Sequence, residues 1–225
     1  MSLKKVKEAA LATMGKREAL KELSAGEFAK LKLNPLLTAR STLYKAKKTG
    51  NVCLLETKTG IMNILAINVT PFEYNVPLLS VDYMFMMGKQ VMMVEFFDTG
   101  IVRDEAYEAN TKRLVEVAQK YSGLTDYEMK ENWYSALYSP ACTAKSGDFD
   151  TVNQMLVDFL DAYCEILERL EPLTGEALEQ RKQAVQEFSD NMIDKGGIST
   201  DVFVKSLGAD KVRSYFDQVF FGTKR

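Results

Sequence analysis

The chain has 225 residues, 46% of them hydrophobic and 27% charged, with a net charge of −2. That balance suits a globular chain with a substantial core, and it excludes the chain-wide basic surface of a nucleic-acid or membrane binder, leaving only local patches. The sequence contains no histidine, which removes imidazole as a base, as a partner of a Ser or Cys nucleophile, and as a metal ligand.

The three cysteines, Cys53, Cys142 and Cys164, are far apart and form no CxxC pair, so neither a zinc nor an iron–sulfur site is expected. An odd cysteine count with no recognisable signal peptide suggests a reducing, cytoplasmic setting. No apolar run approaches the roughly 20 residues of a membrane span, and neither GxGxxG nor a Walker sequence occurs. Acid–base chemistry in this chain must therefore rest on carboxylates, Lys, Tyr or Cys.

In chain order, residues 2–31 are rich in Ala, Lys, Glu and Leu and read as one or two helices, broken near Ser24-Ala25-Gly26. An N-terminal helical segment is thus expected over residues 1–35. From 41 to 101 the texture changes to strands, punctuated by Thr-Gly at 49–50 and 59–60. "VPLLSVDYMFMMGKQVMMVEFFDTG" reads as two strands joined at Met87-Gly88-Lys89. Short turns between strands imply an antiparallel meander rather than βαβ units.

Helices are expected over 104–120, 127–137, 149–170, 175–194, 199–208 and 209–220. The 149–170 segment is the clearest, with Val152, Met155, Leu156, Phe159, Leu160, Tyr163, Ile166, Leu167 and Leu170 on one face. Asp148 or Asp150 can cap it and Pro172 stops it. A helix, a block of strands and then helices over 104–222 indicate an α+β fold: one domain spanning 1–225, with an antiparallel sheet covered by helices.

Within the strand block Asp82 is a lone acid in an apolar stretch. Alternation alone allows it to point outward or into the apolar face. Glu95 and Asp98 on the partner strand point to opposite faces, so Glu95 is either solvated or shares a face with Asp82. Met84, Met86, Met87, Met92 and Met93 can fill a core or wall a flat apolar ligand. Trp133, Tyr134 and Tyr138 can pack or line a pocket. Lys45, Lys47 and Lys48, with Arg40, can form a solvated basic turn or meet an anionic partner.

Three stretches carry a family resemblance. "PFEYNVPLLSVDYMFMMGKQVMMVEFFDTG" at 71–100 resembles the central hairpin of ferredoxin-dependent bilin reductases, with an apolar-Pro-apolar start, a strand bearing one Asp, a short turn and an apolar strand. "SLGADKVRSYFDQVFFG" at 206–222 resembles that family's closing helix, and "YSPACTAKSGDFDTVNQMLVDFLDAYCEILERLEP" at 138–172 resembles its proline-then-helix pattern. The likeness runs over about residues 40–222, and the related red chlorophyll catabolite reductases share that family's fold.

The resemblance implies an α/β/α sandwich with a central antiparallel sheet flanked by helices. It implies a linear tetrapyrrole such as biliverdin, held between the sheet and the C-terminal helices. It further implies an oxidoreductase with no bound cofactor or metal, electrons delivered singly by ferredoxin, and radical intermediates. The family's strand acid falls on Asp82. A carboxyl on an apolar sheet face is desolvated, which raises its pKa and suits it to donate a proton. Asn63, Leu65, Met84, Met93 and Glu95 are the accompanying candidate substrate-binding residues, and the lysine cluster is a candidate for bilin propionates or for an acidic ferredoxin.

The sequence departs from the family in three places, the first being the second hairpin strand's usual Asp, which falls near Phe97 with Asp98 alongside. The family's strand histidine would fall on Leu65, and its Asn-Asp-Lys-Thr stretch falls about on Gly196, Gly197, Ile198 and Ser199. A non-catalytic tetrapyrrole-binding protein and an interaction module that keeps only the fold therefore stand beside the reductase.

Overall fold

The computed structural model describes residues 3–59, 62–86 and 88–225. Helix α1 (Leu3–Gly15) leads into two short strands, β1 (Lys21–Leu23) and β2 (Lys30–Asn34), separated by a 3₁₀ turn at Gly26–Ala29. The meander follows as β3 (Leu37–Ala46), β4 (Gly50–Lys58), β5 (Met62–Thr70), β6 (Leu78–Met86) and β7 (Lys89–Phe97). Then come α2 (Glu105–Lys120), β8 (Thr125–Asp126), a 3₁₀ turn at Trp133–Leu137, β9 (Thr143–Gly147) and α3 (Phe149–Arg169). The chain closes with α4 (Gly175–Asp194), α5 (Ile198–Leu207) and α6 (Ala209–Tyr215), which widens into a π turn over Phe216–Phe220.

The nine strands form one antiparallel sheet in the order β1-β3-β4-β5-β6-β7-β9-β8, with β2 also on β3. Strand alternation gives the sheet two apolar faces. On one, Leu54, Leu65, Ile67, Val81, Tyr83, Val94 and Phe96 pack with Val6, Ala10 and Met14 of α1, Leu114 and Val117 of α2, and Met155, Phe159 and Leu160 of α3. On the other, Leu43, Cys53, Leu55, Ala66, Leu78 and Phe97 pack with Val185 and Phe188 of α4, Phe203 of α5, and Val212, Tyr215 and Phe216 of α6. The result is an α/β/α sandwich. Each fully buried Leu or Phe in these layers contributes about 1.5–3 kcal/mol relative to exposure.

Helix ends follow side-chain chemistry. Asp104 accepts from the Tyr107 N–H at 2.8 Å and Asp148 from the Thr151 N–H at 3.0 Å, satisfying donors that the first turn leaves free. Two buried asparagines hold the last turn to the sheet. Asn51 Nδ2 donates to the Val219 carbonyl at 3.0 Å and Asn68 Nδ2 to the Phe220 carbonyl at 2.8 Å. Tyr215, the tyrosine of the closing helix, is fully buried, and its hydroxyl lies 2.9 Å from Ser41 Oγ.

The structure differs from the sequence expectation at three places. Residues 21–23 and 30–34 are strands, not α-helix: Leu31 and Leu33 point inward while Lys30 and Lys32 stay exposed, a period of two that Lys/Leu-rich composition conceals. The sheet also continues past residue 101 into β8 and β9. Of the helix expected over 127–137, only the 3₁₀ turn forms. The β6–β7 hairpin forms as expected around Gly88, whose φ of +82° suits glycine. Met87 of that turn and Gly60 of the Thr59-Gly60 turn lie outside the described residues. Among the described residues, no helix is long and apolar enough to cross a membrane.

Candidate active site

Register assembles the site. Asp82 on β6 pairs with Ala66 on β5 and Met93 on β7, Met84 pairs with Ile64 and Val91, and Ser80 pairs with Asn68 and Glu95. Side chains paired across an antiparallel ladder share a face. Ile64, Ala66, Asp82, Met84, Met93 and Glu95 therefore lie on the face toward α4–α6. Leu65 and Asn63 do not. Leu65 pairs with Tyr83 and is fully buried against the α1–α3 layer, and Asn63 pairs with Phe85 on that same side. This corrects the sequence expectation for those two residues, since one step along a strand reverses the side chain. Arg40 also leaves the set, because it alternates with Ala39 and Ser41 onto the other face.

The helices cover this face unevenly. Leu43, Cys53, Leu78 and Phe97 are fully buried under α4–α6. Further along, Met62, Ile64, Asp82, Met84 and Met93 are half-buried and Met86 is exposed. The carboxyl of Asp82 thus sits where the covered part of the sheet gives way to an open, methionine-rich platform. Two half-open hollows lie elsewhere. One of about 500 Å³ is bounded by Phe28, Asp217 and Val219. The other, of about 370 Å³, lies at the β3–β4 turn and is lined by Lys45, Lys47, Lys48, Lys182 and Arg225. The sequence-derived lysine cluster therefore forms a basic hollow away from Asp82. Within it, Lys48 Nζ donates to the Leu170 carbonyl at 2.9 Å and sits over the Tyr74 ring at 4.8 Å.

Glu95 is buried, only 9% exposed, and accepts a hydrogen bond from the Tyr138 hydroxyl at 2.5 Å. Of the two alternatives for Glu95, the structure selects the face shared with Asp82. Asp98 points elsewhere, to the Tyr107 hydroxyl and, at 2.5 Å, to Arg103. The aromatics from the 3₁₀ turn pack and also border the site. Tyr134 meets the Phe97 ring edge-on at 5.7 Å and lies 6.1 Å from Tyr138. Trp133 Nε1 donates to the Gly196 carbonyl at 2.7 Å, which fastens the α4–α5 turn to this wall. A Cβ on Gly197 would come within 3.4 Å of the Tyr134 ring.

The electrostatics follow from this enclosure. Burial pushes the Asp82 carboxyl up to about 6. Glu95 is pushed up to about 7, first by burial and then by the charge on Asp82, against the opposing effect of the Tyr138 hydrogen bond. Burial, followed by the charges of Glu95 and Asp82, moves the Tyr134 phenol to about 12. Two carboxyls that keep protons close to neutrality can act as acids. Among the described residues, no group of three or more His, Cys, Asp or Glu side chains could hold a metal ion.

No protein-family model and no curated sequence matches this chain. Its fold, however, belongs to a solved architectural class, the α/β/α sandwich built on one antiparallel sheet. A representative is phytochromobilin synthase from tomato, crystallised in complex with biliverdin. The two structures agree with a TM-score of 0.81 over 99% of this chain and 83% of that one, at 18% sequence identity.

Proposed function

We propose that this protein reduces a linear tetrapyrrole of the biliverdin type, with Asp82 as proton donor and a ferredoxin-class carrier supplying single electrons. The observation that carries this reading is the placement of Asp82, a carboxyl with its pKa raised to about 6 at the edge of an open methionine platform. A flat, largely apolar ligand would lie on Ile64, Met84 and Met93 with the acid against it. The sequence resemblance to ferredoxin-dependent bilin reductases, and the fold shared with a biliverdin-bound structure, both support it. Reduction would need no bound flavin or metal, because the carrier brings the electrons and the sheet the proton. The basic hollow at Lys45, Lys47 and Lys48 would receive the acidic carrier.

A second reading, a tetrapyrrole holder without turnover, draws on one feature. The residue paired with Asp82 on β5 is Ala66, which offers no acid or base. One experiment separates the two. Biliverdin is titrated by visible absorbance, and reduced ferredoxin is then added anaerobically. A shifted band with micromolar or tighter affinity, followed by a new product spectrum, supports the reductase. A shift that never changes when electrons are supplied, across several bilins and a second one-electron donor, leaves the holder. A flat titration rejects both.

A further inference from the structure

Asp82 and Glu95 occupy diagonal positions on adjacent strands, since Asp82 pairs with Met93 and Glu95 with Ser80. Such diagonal neighbours lie about 7–8 Å apart at the backbone, within reach of two carboxyl side chains on one face. Their exposures differ. Asp82 keeps accessible surface at the platform, while Glu95 lies behind it beneath the Tyr138 hydroxyl.

We propose that Glu95, held by Tyr138, is the proton reserve behind Asp82, so that both protons of a two-electron reduction leave from this one sheet face. The inference rests on the reductase reading above and adds a second acid to it.

The step balances. Two reduced carriers each give one electron to the bilin and become oxidised. Asp82 gives its proton to the substrate after the first electron, leaving a carboxylate. Glu95 passes its proton across the strand pair to that carboxylate, and Asp82 delivers it after the second electron. One π bond is lost, two bonds to hydrogen form, and both carboxylates reload from water. Glu95 is therefore a positioning residue that acts through Asp82.

The surroundings favour a retained proton. The titratable groups that interact with the pair are Tyr134 of the 3₁₀ turn, Tyr138 directly after it and Cys142 of the loop before β9, and beyond them Asp201 of α5 acts on Tyr134. None of them is a cation, and among the described residues neither carboxyl has an ion-pair partner. A charge on one carboxyl is thus best tolerated while the other stays protonated. A glutamine at 95 could accept the same Tyr138 hydrogen bond without the cost of a buried, ionisable acid. Packing alone therefore does not call for glutamate.

Glu95→Gln tests the proposal in single turnover with biliverdin and reduced ferredoxin, followed by stopped-flow absorbance and electron spin resonance from pH 6 to 9. Wild-type affinity and first step are expected. The second protonation should be slowed at least about tenfold relative to the first, so that the two-electron-reduced, singly protonated bilin, an even-electron species silent in electron spin resonance, accumulates after the radical has decayed. In the ligand-free protein, an infrared carboxyl titration between pH 5 and 8 should show two groups in wild type and one in the variant. Tyr138→Phe, which leaves the acid in place, should move the pH midpoint of the second step upward, because the lost hydrogen bond favoured the ionised form. A second step unchanged in Glu95→Gln, or an unmoved midpoint in Tyr138→Phe, overturns the reserve while wild-type turnover leaves the reductase standing. A wild type that binds biliverdin and never reduces it overturns both.

Discussion

Replacing Asp82 with asparagine should stabilise the protein above neutrality, and the size of the gain follows from the carboxyl's surroundings. The group titrates at about 6 in the fold, against an ordinary 3.8. A folded pKa above the unfolded one means that folding favours the protonated form. The stability this provides is complete below about pH 4 and is lost as pH rises through 6. A shift of about two units corresponds to roughly 3 kcal/mol of lost stability at pH 8, an upper value because Asp82 keeps some contact with solvent. Asparagine matches the neutral acid in shape and cannot ionise. Wild type and Asp82→Asn should therefore have similar urea midpoints at pH 4, diverge as pH rises through 6, and keep a constant gap from there to pH 8, with the variant the more stable by up to about 3 kcal/mol. Bilin turnover should fall on the order of 10²–10⁴-fold, the range for loss of an acid–base group. Parallel stability curves from pH 4 to 8 would refute the desolvated-acid account.

Three further outcomes are expected. Arg181 is fully buried on α4, where Nη1 donates to the Thr99 carbonyl at 2.8 Å and to Thr99 Oγ1 at 2.5 Å, and Nη2 to the Pro71 carbonyl at 3.4 Å. Arg181→Ala should cost about 3 kcal/mol in chemical denaturation, because the cavity and stranded acceptors outweigh the relief of not burying a charge. Gly50→Ala should lose at least about 2 kcal/mol by the same assay, since φ is +69° there and a Cβ would lie 2.3 Å from the Thr70 carbonyl oxygen. If the basic hollow receives an acidic carrier, Lys47→Glu should raise the KM for ferredoxin. The wild-type KM should rise with salt as the charges are screened beyond about 8–10 Å, with biliverdin affinity constant in both cases.

The sequence by itself determined the elements whose periodicity matches their burial. The one-sided apolar stripe of α3, an aspartate cap at its start and the β6–β7 hairpin were all legible, because local sterics and amphipathic spacing decide them. Asp82 stood out for a similar reason, as a single charge in an apolar strand. Strands β1 and β2 were hidden because three residues in one and a brief Lys/Leu alternation in the other have no length to distinguish them from helix, and only pairing with β3 makes them strand. The face of each candidate was likewise a tertiary decision. Leu65 and Ala66 are neighbours in the chain, yet register sends one into the α1–α3 layer and sets the other beside Asp82. The partnership of Glu95 with Tyr138 joins residues 43 apart and leaves no local trace. The enclosure that raises both carboxyls exists only once the 3₁₀ turn and the α4–α5 turn have closed over one end of the sheet. Desolvation depends on everything packed around a group, and so a chain can reveal where its acid is but not how strongly that acid holds its proton.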